Sequence, residues 1–133
     1  MKSLLKQNLL KSYVTNKRFG PYYLPVRFQN KLLRQYCEEK NKIFSLSTGE
    51  ITFGDSYIQL RSLIKDIKKN EGLVFISAYV LPKDIEFRNK IISYMTKKRI
   101  ECHFIFENLI LKSINDYKKI NSFFKLRNFT NNQ

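Results

Sequence analysis

Two glutamates, Glu50 and Glu107, have the side chains and the settings that acid–base chemistry requires. Each follows an apolar run with the composition of a β-strand. A pair of carboxylates can act as general acid and general base, as hydrolysis or epimerisation of a sugar requires. A structural alternative stays open, in which each carboxylate forms a salt bridge with a cation such as Arg27 or Arg34.

His103 is the only histidine in the chain, which excludes a metal site built from several histidines. His103 and Glu107 fall on one face of a predicted strand, about 13 Å apart at the usual rise of roughly 3.3 Å per residue, so they cannot share one metal ion. We therefore interpret His103 as a structural imidazole near the start of that strand. The sequence lacks the motifs of a Gly-rich phosphate loop and of a nucleophilic serine elbow, and we predict no cofactor and no metal.

Alternating strand and helix patterns must position these residues. Four short apolar or β-branched runs predict strands, and four stretches with apolar residues at three- and four-residue steps predict helices. The predicted strands are Tyr13–Thr15, Ile43–Leu46, Leu73–Ser77 and Ile100–Glu107. The predicted helices are Val26–Lys40, Tyr57–Ile67, Ile85–Met95 with the residues up to 99, and Ser113–Phe124. Asp55 or Ser56 is the expected N-cap of the second helix and Gly72 its expected C-cap.

This alternation predicts an α/β fold with a small four-stranded parallel sheet and helices on both faces, a flavodoxin-like three-layer sandwich. By analogy with doubly wound folds we expect the strand order 2-1-3-4. Ligands of such sheets bind beyond the carboxyl ends of the strands. Each of the four predicted strands has a polar residue at or soon after its end: in order, Lys17, Glu50, Ser77 and Glu107. Each strand would therefore deliver a polar group to this edge.

The length of 133 residues suits one domain, which we place at residues 13–126 between an N-terminal extension, 1–12, and a flexible tail, 127–133. The only two cysteines, Cys37 and Cys102, fall in patterns of a buried helix face and a buried strand, which favours reduced thiols in the cytoplasm. No apolar run approaches the roughly 18 residues of a membrane span, so no transmembrane segment is predicted.

Twenty-five Lys and Arg against eleven Asp and Glu give a formal charge of +14. Such a charge attracts phosphate-bearing partners, among them nucleic acids, sugar nucleotides and anionic membranes. The lysines are spread along the chain, so they also fit ordinary solvated helix faces in a lysine-rich composition. The distribution of lysines therefore makes nucleic acid the less favoured partner.

The run from Leu24 to Cys37 resembles the Pro-x-x-x-Gln-Asn-x-x-x-Arg-x-Tyr pattern of the bacterial sporadic carbohydrate cluster protein family. Further matches follow in the same order along the chain. They are Leu46–Ser47 with Glu50, Ser56–Tyr57, Ser77 to Leu81–Pro82, and His103–Phe104 with Glu107. The resemblance covers about Tyr13 to Phe124.

Proteins of that family are encoded among genes for surface polysaccharide or lipopolysaccharide synthesis, and the resemblance implies a pathway without naming a reaction. We expect a cytoplasmic protein that binds or modifies a sugar or sugar nucleotide, and we leave open whether it is an enzyme. Cations would hold the phosphate, amides would hydrogen-bond the sugar hydroxyls, and Glu50 with Glu107 would be acid and base. The expected ligand-binding residues are Lys17, Arg27, Gln29, Asn30, Arg34 and Ser77.

More distantly, the layout resembles the catalytic domain of serine recombinases (resolvases). The first predicted strand ends in Thr15-Asn16-Lys17, without the nucleophilic serine of that class, and Ser77–Pro82 stands where its arginine cluster would be. Strand exchange on DNA is therefore not expected. Two alternatives follow: a non-catalytic module on a resolvase-like scaffold that assembles with itself or with a partner enzyme, and a basic nucleic-acid-binding protein.

Overall fold

A mostly parallel sheet of six strands carries four helices in the computed structural model, which describes residues 8–45, 48–50 and 57–131 without the side chains of Glu50, Ile114 and residues 127–131. The strands are β1 Leu9–Thr15, β2 Ile43–Phe44, β3 Thr48–Glu50, β4 Glu71–Phe75, β5 Cys102–Phe104 and β6 Leu109–Leu111. The helices are α1 Val26–Glu39, α2 Ile58–Asp66, α3 Ile85–Lys97 and α4 Ile114–Asn131. The α/β class is therefore confirmed.

Strand β1 pairs with three other strands of the sheet. The strand order is β2-β1-β4-β5-β6, and β3 also pairs with β1, on the edge that β2 shares. The four predicted strands correspond to β1, β2, β4 and β5, so the predicted order 2-1-3-4 is confirmed. The predicted count of four strands is wrong, because the polar segment Thr48–Glu50 pairs in parallel with Tyr13–Thr15 and forms a strand of its own.

The last predicted strand is a hairpin. It was expected to run from Ile100 to Glu107, but β5 ends at Phe104, and a turn over 105–108 leads into the antiparallel strand β6. Asn108 ends the turn with φ 54°, a left-handed conformation that asparagine tolerates better than most residues. Glu107 therefore lies in a turn, and the separation of about 13 Å from His103 expected for a continuous strand does not apply.

The two faces of the sheet are covered differently. One face packs under α1, where Leu10, Val14, Leu33, Cys37 and Val74 form a small core. On the other face, alternate strand residues such as Tyr13, Phe75 and Phe104 form the larger core with apolar side chains of α2, α3 and α4. This places helices on both faces, as a three-layer sandwich requires.

Helix α1 follows its predicted pattern closely. Pro25 precedes its first residue, and proline is tolerated there because the first helical N–H groups have no partner within the helix. Gln29, Leu33 and Cys37 recur at four-residue steps and are its buried residues. Cys37 and the strand residue Cys102 are both free and buried, as predicted.

Several element ends differ from their predicted positions. Strand β1 begins at Leu9, inside the predicted extension, because its register with β4 starts at the Leu9–Glu71 pair. Gly72 does not cap α2 but lies within β4. Asp84 caps α3 by accepting a hydrogen bond from the Phe87 N–H at 2.9 Å. Helix α4 continues to Asn131, past the predicted start of the tail, while the expected caps of α2 lie outside the described residues.

Gly20 holds the loop after β1 against Tyr79. Its φ is +62°, and a Cβ at this position would lie 2.6 Å from Tyr79 Cγ. We expect Gly20→Ala to lower the free energy of unfolding by about 2 kcal/mol or more, because the left-handed backbone and the ring contact both oppose a side chain. Chemical denaturation measures this change.

Gly49→Ala is the matched control, since a Cβ there meets only Val14 Cγ2 at an ordinary 3.4 Å. It should change the free energy of unfolding by less than about 0.5 kcal/mol. Equal losses in the two variants would show that close packing against Tyr79 does not hold this loop.

Candidate functional site

The carboxyl edge of the sheet has a crevice between the ends of β1 and β4. Strand β1 is followed by a crossover to β2 on one side, and β4 lies on its other side, so this is the point where the chain reverses its direction across the sheet. Open α/β sheets bind their ligands at such a switch point. The lining of this carboxyl-edge crevice includes Thr15, Lys17, Arg18, Tyr57, Tyr79 and Lys83.

Three cations surround the crevice. Lys17 and Arg18 come from the loop after β1, and Lys83 comes from the loop that leads from β4 to α3. Helix α2 begins beside them, and Tyr57 at its N-cap makes no side-chain capping bond, so N–H groups of the first turn add positive potential. The enclosed volume is about 20 Å³, room for roughly one water molecule, so a larger ligand would bind at its mouth.

Gln29 fixes the strand end that leads into the crevice. Its Nε2 donates to the carbonyl oxygens of Thr15 at 2.7 Å and Leu24 at 2.6 Å, and its Oε1 accepts from the Thr15 N–H at 3.2 Å. The side chain is fully buried. Gln29 was predicted to hydrogen-bond sugar hydroxyls, but its amide already bonds backbone groups and instead positions the loop that carries Lys17.

Ser77 and Glu107 bind each other. The Ser77 hydroxyl donates to Glu107 Oε2 at 2.7 Å, and the Ala78 N–H donates to Glu107 Oε1 at 2.8 Å. Ser77 Oγ also accepts from the Tyr79 N–H at 3.1 Å and has no exposed surface. The predicted ligand-binding role of Ser77 stays a prediction, since its hydroxyl is buried and bonded to Glu107, and Glu107 ties the β5–β6 turn to the end of β4 with no arginine partner among the described residues.

Two strands of the sheet lie between Glu50 and Glu107, the predicted acid–base pair. Glu50 ends β3, which pairs with β1, whereas Glu107 follows β5, and both β1 and β4 lie between these strands. At about 4.8 Å per strand the backbones of β3 and β5 are about 14 Å apart, more than the 5–9.5 Å between catalytic carboxyl groups of glycosidases. Because the Glu50 side chain is not described, the pair stays a prediction.

The remaining predicted residues lie along α1. The Arg27 guanidinium packs over the Phe28 ring, 5.0 Å from its centroid, near the carboxyl edge. Arg34, two turns further along, packs over Phe44 at the same distance, and Phe44 pairs with the beginning of β1. Arg34 therefore lies toward the amino edge, away from the crevice. Asn30 has a buried Oδ1 without a hydrogen-bond partner in the described part of the chain.

Sequence reasoning missed Arg18, Lys83 and Tyr57 as lining residues of the crevice. Lys83 follows Leu81–Pro82, the break after the third predicted strand, and Arg18 adjoins the predicted Lys17. Cations that follow strand ends were therefore the available signal. Arg18 and Lys83 are 65 positions apart in the sequence, and the loops bring them together. The periodicity of apolar residues does not predict loop conformations.

A buried hydrogen-bonded chain joins α1 to β5. His103 is 1% exposed, its Nδ1 lies 2.6 Å from the Tyr36 hydroxyl, and its Nε2 lies 2.7 Å from Glu101 Oε1. With a neutral ring, the hydroxyl donates to Nδ1 and Nε2–H donates to the carboxylate. Lys42 and Lys112 also pair with Glu101, at 4.0 and 3.4 Å. These contacts agree with the prediction that His103 is a structural imidazole.

Burial shifts the pKa values of the groups in this hydrogen-bonded chain. It lowers the pKa of His103 below its usual value, although the bond to Glu101 opposes the shift. Burial would raise the pKa of Glu101, but the His103 bond and the charges of His103, Lys112 and Lys42 bring it below its usual range. Burial, followed by the neighbouring Cys37 and Glu101, raises the pKa of Tyr36 to about 12.

Two further features bear on ligand classes. Within residues 8–45, 48–50 and 57–131, no three His, Cys, Asp or Glu side chains are grouped as metal ligands would be. In the same ranges, no helix has both the length and the apolar composition that a bilayer crossing requires.

We expect Glu107→Ala to lower the free energy of unfolding by about 2 kcal/mol, because the Ser77 hydroxyl and the Ala78 N–H lose a charged acceptor. Urea denaturation measures the loss. Glu38→Ala on the exposed face of α1 is the matched control, expected within about 0.5 kcal/mol of the wild type. An unchanged stability of Glu107→Ala would mean that this carboxylate does not hold the turn.

The stability of the protein should fall as the pH falls from about 7 to about 5. The folded state lowers the pKa of His103, so the unfolded chain takes up the proton first and stability is lost below the unfolded value of about 6.5. Denaturation midpoints across this range measure the slope. In His103→Gln the slope should largely disappear, since the chain has no second histidine. An equal slope in both proteins would contradict this assignment.

Known proteins do not supply a function for this site. No family model matches the chain, and neither a curated protein nor a solved structure matches it. The resemblance to the sporadic carbohydrate cluster family stays a prediction based on the sequence pattern. The function proposed below is therefore inferred from the carboxyl edge itself.

Proposed function

We propose that the protein binds a phosphate-bearing sugar, such as a sugar nucleotide, at the mouth of the carboxyl-edge crevice, within bacterial surface polysaccharide or lipopolysaccharide synthesis. The observation that carries the proposal is the convergence of Lys17, Arg18 and Lys83 at the switch point of the sheet. Cations placed beside the first turn of a helix favour phosphate oxygens, which accept hydrogen bonds from N–H groups.

The aromatic surface next to these cations supports a nucleotide over a simple sugar phosphate. Phe19 lines the crevice and packs against Tyr22 and Phe106, whose ring centroids are 5.1 Å apart in an edge-to-face contact. Tyr22 and Phe106 are each 40% exposed. A nucleobase can stack on exposed rings of this kind while its phosphates reach the cations.

A binding role is better supported than catalysis. Glu107 accepts two hydrogen bonds from the end of β4, and a general acid or base must be able to exchange a proton with its substrate. Binding of an anion by the cations of the crevice requires no proton exchange. The chemistry of Glu50 and Glu107 as acid and base remains the enzymatic form of this proposal, and a non-catalytic assembly module is its alternative.

A thermal-shift experiment tests the binding site. A ligand that binds only the folded protein raises its melting temperature, so UDP-glucose, dTDP-glucose, UDP and inorganic phosphate are compared at low and raised salt. We expect a nucleotide sugar to give the largest shift. In Arg18→Gln/Lys83→Gln the shift should fall by at least about half, because each substitution removes one phosphate partner.

The matched control, Lys31→Gln/Lys118→Gln, removes the same formal charge from exposed positions on α1 and α4. It should keep the wild-type shift. Equal reductions in both variants would assign the effect to net charge, and no shift with any nucleotide sugar at millimolar concentration would refute the proposed function.

A further inference from the structure

Two open cavities along helices α2 and α3 share Lys98 as a lining residue, and we call them together the α2–α3 groove; its lower end lies at the amino edge of the sheet, opposite the crevice. Both helices are crossovers between parallel strands, so they run side by side in the same direction. The upper part of this α2–α3 groove holds about 400 Å³ and is lined by Arg61, Ile64, Lys65, Ile91, Tyr94 and Lys98. The lower part holds about 590 Å³ and is lined by Ile67, Lys68, Lys69, Lys97, Lys98 and Arg99.

Among the described residues, the charged side chains that line these two parts are seven different lysines and arginines. The carboxylates of Asp84 and Glu86 line the adjoining cavity on the far side of Arg61 and Tyr94. The ion pairs of the described residues do not involve Lys65, Lys68, Lys69 or Lys97. Two segments about 30 positions apart in the sequence therefore place their charges around one concave surface.

Capping of the helix ends accounts for only part of this charge. Lys98 Nζ donates to the carbonyl oxygens of Ile64 and Lys65, which closes the end of α2, and Lys65 and Lys97 lie in last turns where the helix dipole favours cations. Lys68 and Lys69 lie just beyond the C-cap of α2 and line the lower part of the groove.

Arg99 adds a charge at a strained position. It follows α3 with φ 57°, in the left-handed region where a helix end usually has glycine or asparagine. Glycine would satisfy this backbone without strain. An arginine at this position places its side chain at the lower part of the groove.

An aromatic side chain stands between the cations. Tyr94 is 57% exposed and lines the upper part of the groove together with Arg61 and Lys98. A basic groove with an exposed aromatic ring has the two components that bind single-stranded nucleic acids: cations follow the phosphates and the ring stacks on a base. We propose that the α2–α3 groove binds single-stranded nucleic acid.

The shape of the surface separates this partner from other polyanions. Helices in contact pack with axes about 8–10 Å apart, so the surface between them is a shallow furrow that the phosphates of one extended strand can follow. An amphipathic membrane-binding helix would present apolar side chains outward, whereas Ile64 and Ile91 are 3% and 1% exposed at the bottom of the groove. This proposal does not depend on the ligand of the carboxyl-edge crevice.

Fluorescence anisotropy with a labelled 12-nucleotide oligo(dT) tests the groove. The wild type should bind at low salt, with an affinity that falls steeply as salt rises. Lys68→Glu/Lys69→Glu/Lys97→Glu should weaken binding by about tenfold or more and lower the salt slope by about 2, since each single-strand phosphate contact contributes roughly 0.7. The Lys→Gln triple variant measures the same loss if charge reversal impairs folding, which melting temperatures monitor.

The control is Lys31→Glu/Lys118→Glu/Lys125→Glu, which makes the same change in formal charge at exposed positions of α1 and α4. Compared at about 0.1 M salt, where the Debye length is about 10 Å, it should weaken binding by less than about threefold, because charges distant from the groove are then largely screened. Tyr94→Ala should lower the affinity without changing the salt slope, since it removes stacking and keeps every cation.

Four outcomes would overturn the proposal. They are the absence of oligo(dT) binding at low salt, equal losses in the groove and control triples, equal affinity for poly-glutamate, and binding to phosphatidylserine vesicles that exceeds binding to oligo(dT). The first two outcomes would show that the groove does not bind single-stranded nucleic acid. The last two would identify an acidic protein or a membrane as the partner.

Discussion

The pairing of β1 along both edges is the constraint on which the rest of the structure depends. One edge holds β2 and β3 and the other holds β4, so the crossovers that carry α1 and α2 connect strands that are either β1 itself or paired with it. Its residues from Ser12 to Thr15 are buried, and Gln29 bonds both backbone groups of Thr15 as the strand ends. The end of β1, and the loop with Lys17 and Arg18, are thereby tied to α1.

A second tie of the same kind organises the neighbouring strands. Glu107 bridges the β5–β6 turn to Ser77 and Ala78 at the end of β4, so the carboxyl ends of β1 and β4 are each held by a side chain from another element. A buried amide and a half-buried carboxylate are costly unless their hydrogen bonds are made, and here the partners are mostly backbone groups. Both residues look like ligand-binding groups in the sequence, but the structure uses them to position the edge.

The sequence predicts the elements that depend on local periodicity and misses those that depend on pairing. The spacing of Gln29, Leu33 and Cys37 marks the buried face of α1, and the alternation of strands and helices, with the analogy to doubly wound folds, predicts the order of the four main strands. Strands β3 and β6 are three residues each and are defined by their pairing, β3 with the distant β1 and β6 with β5 across a short turn. In the same way, composition cannot distinguish a buried structural glutamine from one that faces a ligand.

The direction of the crossover helices explains how a chain with a formal charge of +14 keeps cations at both edges of its sheet. At the amino edge, the carbonyl ends of α2 and α3 carry partial negative charge, which offsets repulsion among Lys65, Lys97 and Lys98. At the carboxyl edge, the start of α2 instead adds positive potential beside Lys17 and Lys83. The helix dipoles therefore stabilise the cations of the amino edge and not those of the crevice.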